Sequence, residues 1–363
     1  MRVLIAAGGT GGHLYPALAF AKELKKRGAE TLFTVGSGRF ARDVLAREGE
    51  NFVQVPSAAF SGRSPLELPG ILAENIRGVF KGLEVLKSFR PDGVAGFGAY
   101  VSVPVLLAAR LGGVPVLPHE QNLFPGRATR LAAVFSKKVA VSFADSMRFF
   151  PGKSVLTGNP VRDGLAGRGR QESRLGFGLD PGRSTLLIFG GSAGARSIND
   201  AVALALPEMK DLAATWQVLH IAGRAEEAEN LRRVYSECGF SAKVMDYSFD
   251  MPSCYAASDL ALCRAGATSV AELIATRTPA ILIPYPYAAG GHQDGNAAYL
   301  ERAGAARIAR ESGGKSPDLA SILRKSLSDP AGLEAMRSRY AAIPEDPARS
   351  AVKLAGLAES LFK

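Results

Sequence analysis

Residues 4–24, LIAAGGTGGHLYPALAFAKEL, run from a short apolar strand through a glycine turn holding a histidine into an amphipathic helix pattern. Glycines at such a turn let backbone N–H groups approach an anion at the positive end of a helix. The same device recurs in STLLIFGGSAGA (184–195), where a second apolar run meets a second glycine turn and a second helix pattern. Strand-like runs alternate with helix-like ones between and after them: TLFTVGSG, GVAGFGAYVS, VPVLPHEQN and KKVAVSF in the first half, WQVLHIAG, AKVMDYSF, LALCRAG and PAILIPYPY in the second. Alternation of this kind predicts an α/β chain with parallel sheets covered by helices on both faces. Two Rossmann-like halves follow, joined near TGNPVRDGLAG (157–167), where Gly, Asn and Pro punctuate the chain. After Pro347, ARSAVKLAGLAESLF is again helical by period and could pack on either half.

Length and composition agree: 363 residues suffice for two ordinary domains, and 47% apolar content with 8% aromatics suits packed α/β cores. Cys238, Cys254 and Cys263 show no C-x-x-C spacing and cannot all pair, which argues against a disulfide framework or a zinc site and for a reducing cytosol. The first apolar run is too short for a signal-peptide core, so the expectation is a protein that stays inside the cell. Residues 93–109 are uncharged but carry four glycines or prolines, and read as buried strand, loop and helix rather than a membrane span.

Charge is uneven. Residues 1–163 carry 21 Lys and Arg against 12 Asp and Glu, whereas residues 164–363 carry 23 against 22. A basic half attracts nucleic acid, anionic lipid or phosphorylated substrates, or is simply a soluble basic face. No nucleic-acid recognition motif or aromatic stacking set accompanies it, so nucleic acid is not an expected partner.

The glycine turns speak against two common modes of nucleotide binding. A dinucleotide fingerprint begun at Gly9 would need glycine where Leu14 stands, and the second strand ends without the acid that would hold a ribose. Neither turn has the G-K-[ST] ending of a Walker A loop. Either turn could still cradle phosphate, the second better than the first, because Ser192 and the amides of 190–195 sit where a helix should start and Arg196 lies in its first turn. In the first turn His13 is placed where a helix N-terminus favours the neutral imidazole, a base's position; a packed or capping histidine is the other reading of its spacing.

Seven stretches in order, GGTGGHLYPALAFAKEL (8–24), GFGAYVSVP (96–104), PHEQN (118–122), GNPVR (158–162), GGSAGA (190–195), CRAGATSVAEL (263–273) and HQDGNA (292–297), resemble the bacterial cell-wall glycosyltransferases that add N-acetylglucosamine to lipid I to give lipid II. The resemblance covers both halves. It implies a GT-B fold, with the membrane-bound acceptor on a first domain (1–161 plus 341–363) and the nucleotide sugar on a second (162–340). It implies transfer of GlcNAc from UDP-GlcNAc to the 4-hydroxyl of MurNAc-pentapeptide-pyrophosphoryl-undecaprenol with inversion, at the cytoplasmic face of the membrane, without a cofactor and in company with cell-wall and division proteins.

Site residues carry over position by position. His13 is the base or part of the acceptor site, with Gly11 and Gly12 leaving room for a pyrophosphate beside it; Thr10, Gly11 and Gly12 also fall on the donor-binding side, Gly12 on both. Tyr100, His119, Glu120 and Asn122 belong to the acceptor side, Asn122 touching the donor as well. No D-x-D metal motif occurs, so no metal is expected; the amides around Gly191, Ser192 and Gly194, with those of Ala267, Thr268 and Ser269, would hold the diphosphate, assisted by Arg162. Glu272 would meet the ribose, and His292, Gln293 and Asn296 the GlcNAc hydroxyls. The uracil would lie near Tyr247 to Phe249, with Arg264 assisting. Two positions depart from the pattern: Ala99 where glycine is commoner, and Ala193 where many relatives have glutamine.

A glycolipid-forming UDP-sugar transferase and a UDP-GlcNAc 2-epimerase share this fold, and a two-lobed binding protein would share its outline. GGTGGH with HEQN speaks against the epimerase, and the binding protein leaves His13 and the basic first half unexplained. Residues 64–91 read as a helix whose stripe Leu72, Ile76, Val79, Leu83 and Leu86 faces the core, leaving Phe80 and Val85 with basic neighbours to touch the inner leaflet.

Overall fold

β1 (Arg2–Ala6) lies between two parallel neighbours, with Leu4 opposite Leu32 on one side and Val94 on the other. A strand paired on both edges and covered on both faces must be apolar wherever it is buried, which explains why Val3–Ala6, after Arg2 at its margin, shows no polar alternation. Successive side chains serve different layers. Val3 and Ile5 join one core, Leu4 and Ala6 the other.

The computed structural model describes residues 1–59, 64–191, 194–311 and 318–362. They form two compact units, Met1–Arg162 together with the chain from Glu345 on, and Asp163–Pro344. Arg162 thus falls in unit 1, and residues 341–344 fall in unit 2.

Unit 1 alternates β1, α1 (Gly11–Lys26), β2 (Glu30–Val35), α2 (Arg39–Arg47), β3 (Phe52–Gln54), α3 (Leu68–Phe89), β4 (Gly93–Gly96), α4 (Ala99–Leu111), β5 (Val116–Glu120), α5 (Arg127–Phe135), β6 (Val139–Val141) and β7 (Ser154–Leu156). Its seven strands are all parallel, in the order β3-β2-β1-β4-β5-β6-β7.

Unit 2 continues with α6 (Arg170–Gly176), β8 (Ser184–Phe189), α7 (Arg196–Ala205), β9 (Trp216–Ile221), α8 (Ala225–Glu237), β10 (Ala242–Met245), α9 (Met251–Ala257), β11 (Leu260–Cys263), α10 (Ala267–Thr276), β12 (Ala280–Leu282), α11 (His292–Arg302), β13 (Ala306–Ile308), α12 (Leu319–Leu327) and α13 (Pro330–Arg339). Its sheet, also parallel, runs β10-β9-β8-β11-β12-β13. In each sheet the strand order reverses beside the strand that feeds a glycine turn, so each turn stands at a topological switch point, where open α/β sheets bind ligands.

The last helix, α14 (Ser350–Leu361), packs on α1 through Leu354, Ala355 and Ala358. Arg27 at the end of α1 clamps it by an ion pair to Glu359 (2.9 Å) and a hydrogen bond to the Val352 carbonyl. Phe362 lies over Gly93, leaving no room for a Cβ there. Burying one such aromatic ring stabilises a fold by about 1.5–3 kcal/mol.

α3 corrects the expected stripe. Its buried positions are Ile71, Asn75, Gly78, Gly82, Val85, Leu86 and Phe89. A Cβ on Gly78 would lie 2.9 Å from Pro104 Cβ, and one on Gly82 2.8 Å from Ala108 Cβ, so α3 approaches α4 along its glycines. That rotation buries Val85 and turns Leu72 and Ile76 outward, 54% and 47% exposed, beside Phe80, which is outward as expected at 67%, while Val79, Leu83 and Leu86 of the expected stripe do meet the core. Arg77 and Lys81 flank this apolar face, each also paired along the helix, with Glu74 and Glu84. Among the described residues no helix is long and apolar enough to cross a membrane.

Candidate active site

In unit 1 the residues singled out gather at the carboxyl ends of β1, β4 and β5. The turn after β1 ends at Thr10, the N-cap of α1, whose hydroxyl lies 3.2 Å from His13 Nδ1. His13 is half-buried in the first turn of α1, and its ring faces Gly98: a Cβ there would stand 3.2 Å from His13 Cδ2 and 3.2 Å from Gln121 Oε1. Gly98 also has φ +71°, so both its space and its backbone call for glycine. Ala99 beside it has φ +58°, the left-handed region, where a Cβ is strained. This is the physical cost of the alanine that departs from the family pattern. Tyr100 is exposed at the start of α4.

The HEQN stretch ends β5 and opens a self-supporting loop. His119 is 1% exposed; its Nε2–H donates to the Gly158 carbonyl (3.0 Å), so Nδ1 accepts from Gln121 Nε2 (2.9 Å). Burial pushes the imidazole's pKa down to about 4, so it is neutral at physiological pH. The buried Glu120 carboxylate accepts from the Asn122 amide N–H (3.0 Å) and side chain (3.3 Å) through Oε1, and from the Gly126 N–H (2.9 Å) ahead of α5 through Oε2. His119 and Glu120 therefore shape the loop, and Asn122 is held by it at an intermediate exposure. Arg162 stacks its guanidinium 3.8 Å over the Tyr15 ring, two residues after His13. Gly11 is buried and Gly12 half-buried in the first turn of α1.

In unit 2 the turn after β8 closes so tightly that a Cβ on Gly190 would collide with the Ala195 amide, while Gly194 packs against the Gly223 backbone. Gly191 is exposed at the tip with φ +91°; Ser192 and Ala193 lie outside the described residues. α7 and α10 start from Ala195 and Gly266, N-caps without a side-chain oxygen, and neither helix has an acid in its first turn. Neither helix therefore brings a capping oxygen or a carboxylate of its own to its positive end.

Ala267 and Thr268 are buried and Ser269 half-buried in the first turn of α10. Glu272, 3% exposed, accepts at Oε2 from the Tyr255 hydroxyl (3.0 Å), and Tyr255 packs edge-on to Phe189 at the end of β8. Asn296 is fully buried and donates to the Ala265 carbonyl (3.1 Å), fixing the turn into α10. Gln293 accepts from the Tyr285 N–H (2.9 Å), and His292 opens α11 at half exposure. Phe249, exposed, pairs with the Tyr247 ring at 4.6 Å, and Asp250 next to it caps α9 and meets Arg168 (3.3 Å). Arg264, expected beside the uracil, turns inward instead, against Glu311, Ser197 and two carbonyls.

Four positioning groups escaped the sequence reading: Gly98, Gln121, Tyr255 and Glu311. Gly98 and Gln121 stand inside quoted motifs, but nothing along the chain marks Tyr255 or Glu311, which reach their partners from other elements.

Sequence profiles of two families match the chain: the glycosyltransferase family 28 N-terminal domain over residues 3–141, and the glycosyltransferase family 28 C-terminal domain over residues 185–353. A relative in Halothermothrix orenii is 38% identical over 346 residues, 93% of either chain, and bears the name UDP-N-acetylglucosamine–N-acetylmuramyl-(pentapeptide) pyrophosphoryl-undecaprenol N-acetylglucosamine transferase. A relative of the same name in Nitratidesulfovibrio vulgaris is 39% identical over 367 residues, 99% of this chain and 98% of its own. Among solved structures, MurG of Acinetobacter baumannii superposes with a TM-score of 0.76 at 27% identity, covering 99% of each chain. The UDP-GlcNAc 2-epimerase of Neisseria meningitidis reaches 0.68 at 15% identity over 99% of this chain and all of its own, a likeness of fold alone. With family 28 profiles over both halves and near-full-length relatives of one name, the chain belongs to glycosyltransferase family 28, a GT-B family, and within it to the N-acetylglucosaminyltransferases that those relatives represent.

Proposed function

We propose that the chain transfers GlcNAc from UDP-GlcNAc to the 4-hydroxyl of the MurNAc sugar of lipid I, with inversion, releasing UDP and giving lipid II for peptidoglycan. The observation that carries this reading is the identity of 38% over 93% of the chain to a transferase so named, with six of the seven motif stretches falling at or beside strand ends and the seventh, HQDGNA, opening α11.

The donor belongs to unit 2 and the acceptor to unit 1. In a direct displacement the acceptor hydroxyl loses its proton as its oxygen bonds the anomeric carbon, and the bond to UDP breaks with its electron pair on the β-phosphate. His13 is the base. With the proton on Nδ1 directed to Thr10, its Nε2 lone pair accepts the hydroxyl proton. The diphosphate draws on the N-termini of α7 and α10, whose preorganised amides each contribute a few kcal/mol where charge develops. Glu272, oriented by Tyr255, takes the ribose hydroxyls; Gln293 and His292 take the sugar, and the Tyr247–Phe249 segment the uracil. Arg162, flattened on Tyr15, presents a cation to the diphosphate.

The lipid acceptor calls for a membrane-facing surface. The exposed Leu72, Ile76 and Phe80 of α3, with Arg77 and Lys81 beside them, support peripheral binding to an anionic leaflet.

UDP release from UDP-GlcNAc, measured with and without a lipid I analogue in excess EDTA, tests the assignment. Release that requires the analogue and survives EDTA is expected. If UDP-GlcNAc binds but the analogue elicits no UDP, the acceptor assignment falls while the donor site stands.

A further inference from the structure

Arg264 follows β11 directly and stands three residues ahead of α10, yet its side chain is only 8% exposed. Its Nη2 donates to Ser197 Oγ (2.7 Å), the second residue of α7. Its Nη1 donates to the carbonyls of Ile283 (3.1 Å) and Pro284 (3.2 Å), just past β12, and pairs with Glu311 Oε1 (3.0 Å), past β13. Ser197 Oγ in turn donates to the same Glu311 oxygen (2.9 Å), and the Tyr285 ring lies 5.4 Å from the guanidinium carbon. One planar cation therefore joins the segments that follow β8, β11, β12 and β13, all at the edge of the sheet where the glycine turn opens.

We propose that Arg264, with Glu311 and Ser197, is a positioning device for the donor diphosphate: a guanidinium strut that sets the first turn of α7 against the lead-in to α10. The inference rests on the donor reading above, which assigns the diphosphate to those two helix starts. Arg264 touches protein on every contact described, so it acts through the helices and not on the nucleotide. Amide dipoles stabilise an anion only when they converge on it, and a displacement of about 1 Å in such an array costs on the order of a hundredfold in function. Arginine suits the task because its fork donates in several fixed in-plane directions. A lysine ammonium would keep the charge and lose the geometry. Glu311 offsets the buried cation and holds Ser197 in register.

The test compares UDP with uridine as ligands of the intact protein. Arg264→Lys retains a buried cation beside Glu311 and should weaken UDP binding about tenfold while uridine binding stays within twofold. KM for UDP-GlcNAc should rise by a similar factor, with KM for a lipid I analogue unchanged. Ser197→Ala, which cuts one link, should weaken UDP three- to fivefold and likewise spare uridine. Equal losses for UDP and uridine would overturn the proposal by placing Arg264 at the base. Unchanged UDP affinity in both variants would overturn it too. Should the unaltered protein bind neither ligand, the donor reading itself fails, a result distinct from either of these.

Discussion

The Nε2–H of His119 donates to the carbonyl of Gly158 at 3.0 Å, joining the end of β5 to the turn after β7 across 39 residues. Two motif stretches, PHEQN and GNPVR, are held together by this one bond, and the other ring nitrogen passes the constraint to Gln121, whose Oε1 looks toward Gly98 and the His13 side of the site. Removing the imidazole breaks two buried hydrogen bonds, worth about 1 kcal/mol each, and opens a cavity, while the Gly158 carbonyl keeps the Thr157 hydroxyl (3.1 Å) and Gln121 Nε2 keeps the His119 carbonyl (3.0 Å). His119→Ala should lower the unfolding free energy of unit 1 by roughly 3 kcal/mol, read from urea denaturation, and lower acceptor-dependent turnover more than UDP affinity.

Acid should destabilise both units from neutrality downward. His119 in unit 1 and His220 in unit 2 are buried neutral, with pKa values pushed down to about 4 and about 3 from an unfolded 6.5. His220 is held by Tyr235 (2.8 Å) and Asn199 (3.0 Å). Below pH 6.5 the unfolded chain takes up protons that the folded imidazoles refuse, so each contribution is complete above 6.5 and is lost as pH falls toward the folded value. The slope reaches about 1.4 kcal/mol per pH unit for each histidine. Urea midpoints at pH 7.5, 6 and 5 should decline steadily; a flat profile would contradict buried neutral rings.

His13 and Gly98 should fail in the same way for different reasons. His13→Ala removes the proposed base and should reduce kcat by about 10²–10⁴-fold. Gly98→Ala drives a methyl toward the His13 ring at a backbone angle that disfavours it, and should reduce kcat by a comparable factor with the imidazole still present. UDP affinity, measured by calorimetry, should change less than twofold in either variant. A large loss of UDP binding would move His13 to the donor side.

Ala99→Gly should stabilise the fold. The left-handed backbone at Ala99 costs about 1–2 kcal/mol for a residue with a Cβ, and glycine returns part of that as greater freedom in the unfolded chain. The expected net gain is about 0.5–1 kcal/mol, visible as a higher thermal midpoint with turnover unchanged.

Both sheets were legible in the chain because strands buried on two faces write themselves as continuous apolar runs ending in glycine. The rotation of α3 was not. Its apolar residues occur all round the helix, and the buried side is chosen by Gly78 and Gly82, which a hydrophobic stripe does not register, meeting Pro104 and Ala108 of another helix. The site divides in the same manner. Residues in contiguous motifs such as Thr10 with His13, or Glu120 with Asn122, could be read in advance because their partners are three residues away or fewer. Glu272 could be read, but Tyr255, which holds its carboxylate, could not, since a hydrogen bond between α9 and α10 leaves no trace in spacing.

The return of α14 to α1 sets an order of events at the ribosome. Residues 1–162 emerge first, but the helix that covers α1, the Glu359 partner of Arg27 and the Phe362 ring over Gly93 are all encoded after unit 2. At about 5–20 residues per second, translating residues 163–344 takes on the order of 10–40 s. During that interval the apolar strip of α1 that α14 covers stands open in the nascent chain. A nonsense codon late in the message would accordingly cripple the half of the protein that was made first.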